Sequence, residues 1–559
     1  MCLKILLVAV NSKYSHTSLA VRTLCANSVG TEFAEYTINE DLAAVETSVF
    51  EKNPDVLCFA CYIWNIEFIL KLANDLKKML PSVKIIFGGP EVSFSGAEIL
   101  GRYNFVDAVI TGEGEETLNE LSRNGFVFDG VMGVVYRKDG ITVNLPRPLI
   151  KDLDSLSFPY SDKDLETNQG KLIYYETSRG CPYSCSYCLS STVHGVRFKS
   201  IEKVKEELLR IIKSKPETIK FVDRTFNADK SRTVKLIEFM KKEGAGVTFH
   251  FEIEAHTLND EFFDAISDAP SGMFRFEIGL QSTNPETLCA INRMGNTEKL
   301  FNNIRRITEL GNIHVHLDLI AGLPFENIMS LQKSFNDALS LKPHVLQLGF
   351  LKLLKGTEIR GRADEFGYVF RDYPPYEVIS SDCISASEML KIKKIEELLD
   401  RFYNSGAFKG GIEYLSDYFG TPWDLFSNLT DYFEERKLFD IKHSRDSLYG
   451  ILSDFSECNG VSDVFRDILK FDYLTSNVNA KTPLWSLDLY DVEFHKRRAD
   501  VVEENPRGVF DTLKDKPVRE ILKIVHFETF SYRIFDGNKK EKWIGVFTKR
   551  GKYLGEISY

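Results

Sequence analysis

Strand-like and helix-like segments alternate along two long stretches of the 559 residues, and that alternation confines both to parallel sheets covered by helices. In the first stretch, apolar runs over 4–10, 55–62, 84–87 and 107–110 read as buried strands. Phe68, Leu72, Leu76 and Leu80 repeat at helical spacing up to Pro81. Gly88-Gly89-Pro90 and Thr111-Gly112-Glu113-Gly114-Glu115 directly follow strands. Permissive backbone therefore falls at the carboxyl edge, where such sheets bind ligands. Residues 134–136 and 141–143 flank Lys138-Asp139-Gly140, a hairpin turn, and Pro146, Pro148 and Pro159 follow in a polar connector. Alternation resumes with strands expected over 172–176, 218–223, 247–254, 274–279, 314–319 and 345–350. Such units suit a partial barrel with its site at the strand carboxyl ends. Beyond about 370 the texture changes. Ser385-Ala386-Ser387-Glu388 is a capping box opening a helix with Ile392, Ile395, Leu399 and Phe402 on one face, and Gly406 ends it. The last fifty residues turn strand-like, with hairpin turns at Asp536-Gly537 and Arg550-Gly551. The expected fold class is α/β: a doubly wound, Rossmann-like domain over 1–130, a hairpin connector over 131–168, a (β/α)6-type partial barrel over 169–370 and an α+β domain over 371–559.

Composition narrows the function classes. Hydrophobic residues make up 43 % and charged residues 27 % of the chain, ordinary globular usage that excludes disordered and collagen-like classes. Apolar runs break within about ten residues, too short to span a membrane. The apolar start at Leu3 to Val10 lacks a basic flank and a small-residue cleavage site, so it reads as a strand in a cytoplasmic protein. A net charge of −11 argues against nucleic acid held mainly by counterion release. The one basic stretch, Lys539, Lys540, Lys542, Lys549, Arg550 and Lys552 around Trp543 and Phe547, reads as an edge protected by lysines, with RNA contact as the less favoured alternative.

Ten cysteines in 559 residues are too dilute for a disulfide framework, but Cys181, Cys185 and Cys188 crowd into eight residues. This C-x3-C-x2-C loop follows the strand expected over 172–176. Three thiolates on one loop hold three irons of a [4Fe–4S] cluster and leave the fourth open to a chelating ligand. Structural zinc wants four ligands, and no second pair follows in suitable context. Cys58 and Cys61 lie in an apolar strand and read as core.

With Tyr187 before the third cysteine, the motif resembles the signature of radical S-adenosylmethionine (SAM) enzymes. Phe221-Val222-Asp223-Arg224-Thr225-Phe226, Phe276 to Ser282 followed by Ile291-Asn292-Arg293, and Asp318 to Pro324 resemble that family's second, fourth and fifth strand ends, in order. The resemblance spans roughly 170–355 and implies reductive cleavage of SAM to methionine and a 5′-deoxyadenosyl radical, fed by a donor such as flavodoxin or ferredoxin. It implies adenine contacts around Tyr187, Ile320 and Gly322, and ribose contacts from Glu252 or Glu254, of which strand alternation is expected to turn one inward. It also implies a SAM carboxylate partner in Arg293, a SAM contact at Asp223, and Gln281 and Ser282 facing the cavity. The second strand ends in Asp223-Arg224-Thr225 where the family often has a Gly-Gly-Glu-like stretch.

The N-terminal domain resembles the cobalamin-binding domain of the B12-dependent subfamily. The resemblance implies contacts from Ser12, His16, Tyr62, Gly88, Gly89, Gly112, Glu113 and Gly114. The Asp-x-His-x-x-Gly motif of other cobalamin proteins is absent, and His16 lacks the partner Asp or Gly. Cobalamin without a histidine on cobalt is therefore expected. The leading function is a cobalamin-dependent radical SAM enzyme, with methyl transfer to an unactivated centre as one outcome. A methylthiotransferase acting on tRNA or protein and a non-catalytic corrinoid sensor or carrier are the alternatives. No catalytic acid, base or nucleophile and no substrate, small or macromolecular, is assigned by the sequence.

Overall fold

The computed structural model describes residues 3–167, 172–293, 295–477, 483, 485–486 and 492–558. Cys2, one of the ten cysteines, lies outside them. The chain forms two compact units, Met1–Pro343 with Gln347–Met389, and His344–Leu346 with Leu390–Tyr559.

The first unit opens with β1 (Ile5–Asn11), β2 (Thr31–Thr37), β3 (Val56–Ala60), β4 (Lys84–Gly88) and β5 (Ala108–Ile110). They lie in parallel in the order β2-β1-β3-β4-β5. The hairpin of β6 (Val134–Arg137) and β7 (Ile141–Val143) continues this sheet antiparallel to β5. Both faces are covered. Leu6, Val8, Leu57, Phe59 and Cys61 face one core, and Ile5, Leu7, Ala9, Val56 and Cys58 the other. Cys58 and Cys61 are thus buried on opposite faces, and the low-dielectric surroundings push the Cys58 thiol up to about 12.

The second sheet of this unit has the order β15-β14-β13-β12-β11-β8. Its members are β8 (Leu172–Tyr175), β11 (Thr218–Phe221), β12 (Thr248–Ile253), β13 (Phe274–Gln281), β14 (His314–Ala321) and β15 (Val345–Phe350). β8, β11, β12, β13 and β14 pair in parallel, each with its neighbour. A small antiparallel hairpin, β9 (Ser178–Cys181) with β10 (Gly195–Phe198), stands between β8 and β11 in the chain. Alternate residues divide the two faces. Phe221, Phe249, Phe251, Phe274 and Phe276 are buried, with Phe221 and Phe251 ring centroids 4.6 Å apart. Each such ring is worth roughly 1.5–3 kcal/mol on burial. The opposite face carries Lys220, His250, Glu252, Glu277, His316 and Asp318, which are only partly buried and face the barrel interior. A short pair, β16 (Val369–Phe370) and β17 (Val378–Ser380), completes the unit.

From Leu390 the described residues of the second unit are mainly helical up to Ile524, and the unit ends in an antiparallel meander of β18 (Val525–Arg533), β19 (Lys539–Thr548) and β20 (Tyr553–Ser558). The capping box forms: Ser385 Oγ accepts from Glu388 N–H, and the Glu388 carboxylate accepts from Ser385 N–H. The helix Ala386–Leu398 runs on into a π-helical turn, Leu399–Asn404, before Gly406 turns left-handed at φ +67°. Trp543 and Phe547 are buried in the core of the meander, so neither offers a ring for stacking on a nucleic-acid base. Among the described residues no helix is long and apolar enough to cross a membrane.

Candidate active site at the barrel mouth

The three clustered cysteines sit on a loop whose shape is set from several sides. Asp223, buried in the turn after β11, accepts from Thr177 N–H (2.9 Å), Thr177 Oγ1 (2.5 Å) and Ser178 Oγ (2.5 Å), just before the loop. Burial pushes the Asp223 carboxyl up, against three donors that favour its charged form. The β9–β10 hairpin then places Cys181 opposite Gly195. Gly180 has φ +96°, and a side chain there would run into the Gly195 carbonyl oxygen. Further on, Cys188 N–H donates to the Cys185 carbonyl, Ser186 N–H to the Ile291 carbonyl, and the Ser186 carbonyl accepts from Ile359 N–H.

Charge gathers on one side of this loop. Arg293 donates to Glu254 Oε2 (2.8 Å) and to the Gly279 carbonyl (2.6 Å), and its other terminal nitrogen lies 3.6 Å from Cys185 Sγ. Glu254 Oε1 holds His256 Nδ1 at 2.8 Å, and Asn227 brackets the Glu254 backbone with two hydrogen bonds. Burial opposes charge on Glu254, but His256 and Arg293 outweigh it and hold the carboxyl below the usual carboxylate range. Burial likewise pushes the Cys185 thiol up, and Arg293 pulls it back toward thiolate. A cavity of about 40 Å³ opens here, lined among others by Tyr183, Cys185, Glu254, His256 and Arg293. Among the described residues no three His, Cys, Asp or Glu side chains close on a single metal ion. The thiols of a cubane cluster each take a different iron and stand wider apart.

Deeper in the barrel, Glu277 accepts from Lys220 Nζ (3.0 Å) and lies 3.0 Å from His250 Nε2, and these partners outweigh burial to hold its carboxyl down at about 2. His316 Nε2 and Asp318 Oδ1 are 2.9 Å apart but off the hydrogen-bonding line.

Family models match three successive stretches of the chain. The B12 binding domain matches residues 6–122, the radical SAM superfamily residues 175–338, and a protein family of unknown function, DUF4080, residues 364–547. The chain thus carries a stretch that matches the radical SAM superfamily behind one that matches the B12 binding domain. Its curated relatives include an uncharacterized methyltransferase of Pyrococcus horikoshii, 26 % identical over 55 % of this chain and 69 % of that protein. The cobalamin-dependent radical SAM methyltransferase TokK of Streptomyces tokunonensis is 29 % identical over 53 % of this chain and 47 % of its own length. The hopanoid C-3 methylase of Methylococcus capsulatus is 30 % identical over 48 % of this chain and 53 % of its own. The chain thus spans about half the length of the last two. Among solved structures, the cobalamin-dependent SAM radical enzyme OxsB with aqua-cobalamin and SAM bound superposes with a TM-score of 0.57 over 91 % of this chain and 81 % of that one, at 16 % identity, a likeness of fold.

Within the stretch that matches the radical SAM superfamily the expected site residues divide. Cys181, Cys185, Cys188, Arg293 and Glu254 converge as described. Tyr187 and Ile320 pack together against one apolar cluster, and the carbonyl of Gly322, at φ +88°, accepts from the Tyr368 hydroxyl at 3.0 Å. Gln281 stands at a β-bulge with φ +65°, and among the described residues its buried Oε1 has no hydrogen-bond partner. Three expectations change. Asp223 spends its oxygens on Thr177 and Ser178, so it positions the cysteine loop rather than facing a ligand. Ser282 is fully buried and donates to Glu326 Oε1 (2.8 Å), an internal bond, although it borders the cavity. The choice between Glu252 and Glu254 was no choice: residues two apart share a strand face. Both lie on the interior side, Glu254 at the mouth and Glu252 one layer below. Sequence reading missed His256 and Asn227, which carry no motif of their own.

The B12-binding domain divides in the same way. Gly112, at φ +74°, has open space where a Cβ would stand, and Tyr62 stacks on half-exposed Trp64 with ring centroids 4.3 Å apart. Both follow strands of the first sheet, at its carboxyl edge. Ser12 directly follows β1 and is half-buried. Other expected contacts have internal duties. At Gly89, φ +111°, a Cβ would stand 2.5 Å from the Cys61 carbonyl oxygen, so glycine is required by the neighbouring turn. A Cβ on Gly88 would meet only ordinary contacts, and one on Gly114 would press on Leu24 at 3.1 Å. Glu113 pairs with Arg197 (2.7 Å) and Arg179 (3.5 Å) of the β9–β10 hairpin. His16 Nδ1 lies 3.1 Å from the Tyr174 hydroxyl of β8.

Proposed function

We propose that the protein is a cobalamin-dependent radical SAM enzyme that transfers a methyl group to an unactivated centre. When bound, the [4Fe–4S] cluster with SAM supplies one-electron cleavage to a 5′-deoxyadenosyl radical, and cobalamin supplies a methyl carrier. The observation that carries the reading is the preset cysteine loop beside the Arg293–Glu254 pair. Cys181, Cys185 and Cys188 would hold three irons, and Arg293, already against Cys185, would pair with the SAM carboxylate in its planar fork. Gln281 Oε1 is an acceptor for a SAM hydroxyl or amine, and the Tyr187–Ile320 surface takes the adenine. Residues around Gly112, Tyr62 and Ser12 would hold cobalamin, with His16 engaged by Tyr174 rather than cobalt. A reduced flavodoxin or ferredoxin provides the electron.

Anaerobic reconstitution tests this reading. The expected result is about four irons per chain for one [4Fe–4S] cluster, one cobalamin, and 5′-deoxyadenosine from SAM on reduction. Changing all three cysteines to Ala is expected to remove the iron and the SAM cleavage while cobalamin still binds. A triple variant that keeps its cluster iron, or about eight irons in the wild type, would overturn the assignment.

A further inference from the structure

Arg179 and Arg197 face each other directly across the β9–β10 ladder, two rungs from the one that pairs Cys181 with Gly195. Like charges placed opposite each other in an antiparallel pair repel. Between Ser178 and Phe198 the sequence holds no Asp or Glu, so the hairpin cannot neutralise the pair itself. Its carboxylates come from outside. Glu176 lies just before it and accepts from Arg179 Nε at 3.0 and 2.9 Å. The other two come from the N-terminal domain. Glu113 takes Arg197 in a fork, Nη2 to Oε1 at 2.7 Å and Nη1 to Oε2 at 3.1 Å, and the same Oε1 lies 3.5 Å from Arg179 Nη1. Its Oε2 also accepts from Ile150 N–H at 2.7 Å. Glu115, the first residue of the helix Glu115–Arg123, accepts from Arg179 Nη2. The side chains of Glu113, Glu115, Arg179 and Arg197 are all less than a fifth exposed. Burial opposes charge on Glu113, but Arg197, the Ile150 N–H and Arg179 outweigh it and hold the carboxyl below the usual carboxylate range. The joint is short at both ends. Glu113 stands between Gly112 and Gly114 in the turn after β5, and Arg179 is two residues from Cys181. The pairs of Arg22 with Asp164, and of Glu91 with Tyr376 and Lys355, reach the connector and the stretch after β15 rather than the cysteine hairpin.

We propose that Glu113, Glu115, Arg179 and Arg197 are positioning residues that hold cobalamin at a fixed distance from the cluster, by locking the turn at Gly112 to the hairpin that ends in Cys181. The inference rests on the cobalamin-dependent radical SAM reading and adds what sets the span between its two cofactors. A methyl carrier and a radical source must reach one substrate centre, and a misplacement of about 1 Å can cost roughly a hundredfold in rate. Glu113 is the keystone, because it alone of the three carboxylates lies against both arginines. Without it two guanidinium groups are left facing each other in a poorly hydrated place, and nothing draws Arg197 to the turn.

The test is pulsed electron paramagnetic resonance on the full chain loaded anaerobically with cobalamin and cluster, reduced with dithionite in the absence of SAM. Cob(II)alamin and the reduced [4Fe–4S] cluster each carry one unpaired spin, and their dipolar coupling reads the distance from cobalt to cluster. Wild type is expected to give one narrow distance. In Glu113→Gln that single distance is expected to be lost to a broad distribution. Charge reversal, Glu113→Arg together with Arg197→Glu, is expected to restore the narrow distance that Glu113→Arg alone lacks. Asp164→Asn, which breaks the Arg22 pair elsewhere in the unit, is expected to lower stability and leave the distance narrow. Where Glu113→Gln does not load both cofactors, Arg197→Lys, which keeps the charge but not the fork, is expected to broaden the distance in its place. A narrow, unmoved distance in the Glu113→Gln or Arg197→Lys protein overturns the inference. So does equal broadening in Asp164→Asn, or no recovery in the reversed pair. Wild-type protein that loads both cofactors yet already gives a broad distribution defeats this inference alone. Wild-type protein that binds no cobalamin or no cluster defeats the functional reading beneath it.

Discussion

The two parallel sheets of the first unit present their carboxyl edges in different materials. The N-terminal edge offers backbone and rings: Gly112 beside open space, Gly89 folded against Cys61, Tyr62 stacked on Trp64. The barrel edge offers thiols and charges: Cys185 against Arg293, Arg293 against Glu254 and Glu254 against His256, with Glu277 between Lys220 and His250 a level deeper. An edge made of backbone selects by shape and fails when the chain cannot turn. An edge made of paired charges selects by electrostatics and fails when a partner is lost.

The sharpest way to break this contrast is Gly89→Ala. The expected cost is about 3 kcal/mol of stability, from a backbone conformation reserved for glycine together with the clash on Cys61. Cobalamin binding should fall while cluster iron stays. Chemical unfolding and both stoichiometries read it, and a variant as stable as wild type would mean the N-terminal edge is not backbone-limited.

Glu277→Gln probes the other material. A carboxyl held at about 2 in the fold is ionised more readily there than in the unfolded chain. Its stabilisation is therefore full above the unfolded value near about 4.3 and fades as pH falls through 2. The variant is expected to lose about 3 kcal/mol at pH 7 and to match wild type by about pH 2. A difference independent of pH between 7 and 3 would show that packing, not charge, is at stake.

Arg293→Ala is expected to weaken SAM binding about tenfold to a hundredfold, the worth of a charge-assisted hydrogen-bonded pair of about 1.5–3 kcal/mol. Arg293→Lys should recover part of it, because an ammonium lacks the planar fork. Equilibrium titration on cluster-loaded protein decides, and unchanged affinity in the Ala variant removes Arg293 from the SAM site. The smallest effect is expected from His16→Ala, with cobalamin stoichiometry kept, since His16 faces Tyr174. Loss of cobalamin from that folded variant would give the N-terminal edge a side-chain ligand after all.

Legibility in the sequence follows the same division. Elements defined by local pattern were plain: the strands, the 134–143 turn, the Ser385 capping box and the three cysteines. β2, Thr31–Thr37, escaped because it is an edge strand whose side chains are mostly half-buried, so its apolar pattern is weak. That the 134–143 hairpin extends the first sheet depends on its pairing with β5, a contact no local pattern encodes. Asp223 stood out as a polar residue at a strand end, but that it serves Thr177 and Ser178 is decided by the loop packed over it. His256 acquires its place only when β12 brings Glu254 to Arg293.

The Asp223 bonds to Thr177 and Ser178 have a consequence for assembly. Because buried hydrogen bonds, the β9–β10 ladder and Ser186 hold the cysteine loop, its shape does not depend on metal for cross-links. Loading iron is then the filling of a finished socket, unlike the small metal domains that are unfolded until their ion arrives. A chelator is expected to remove the iron without melting the fold.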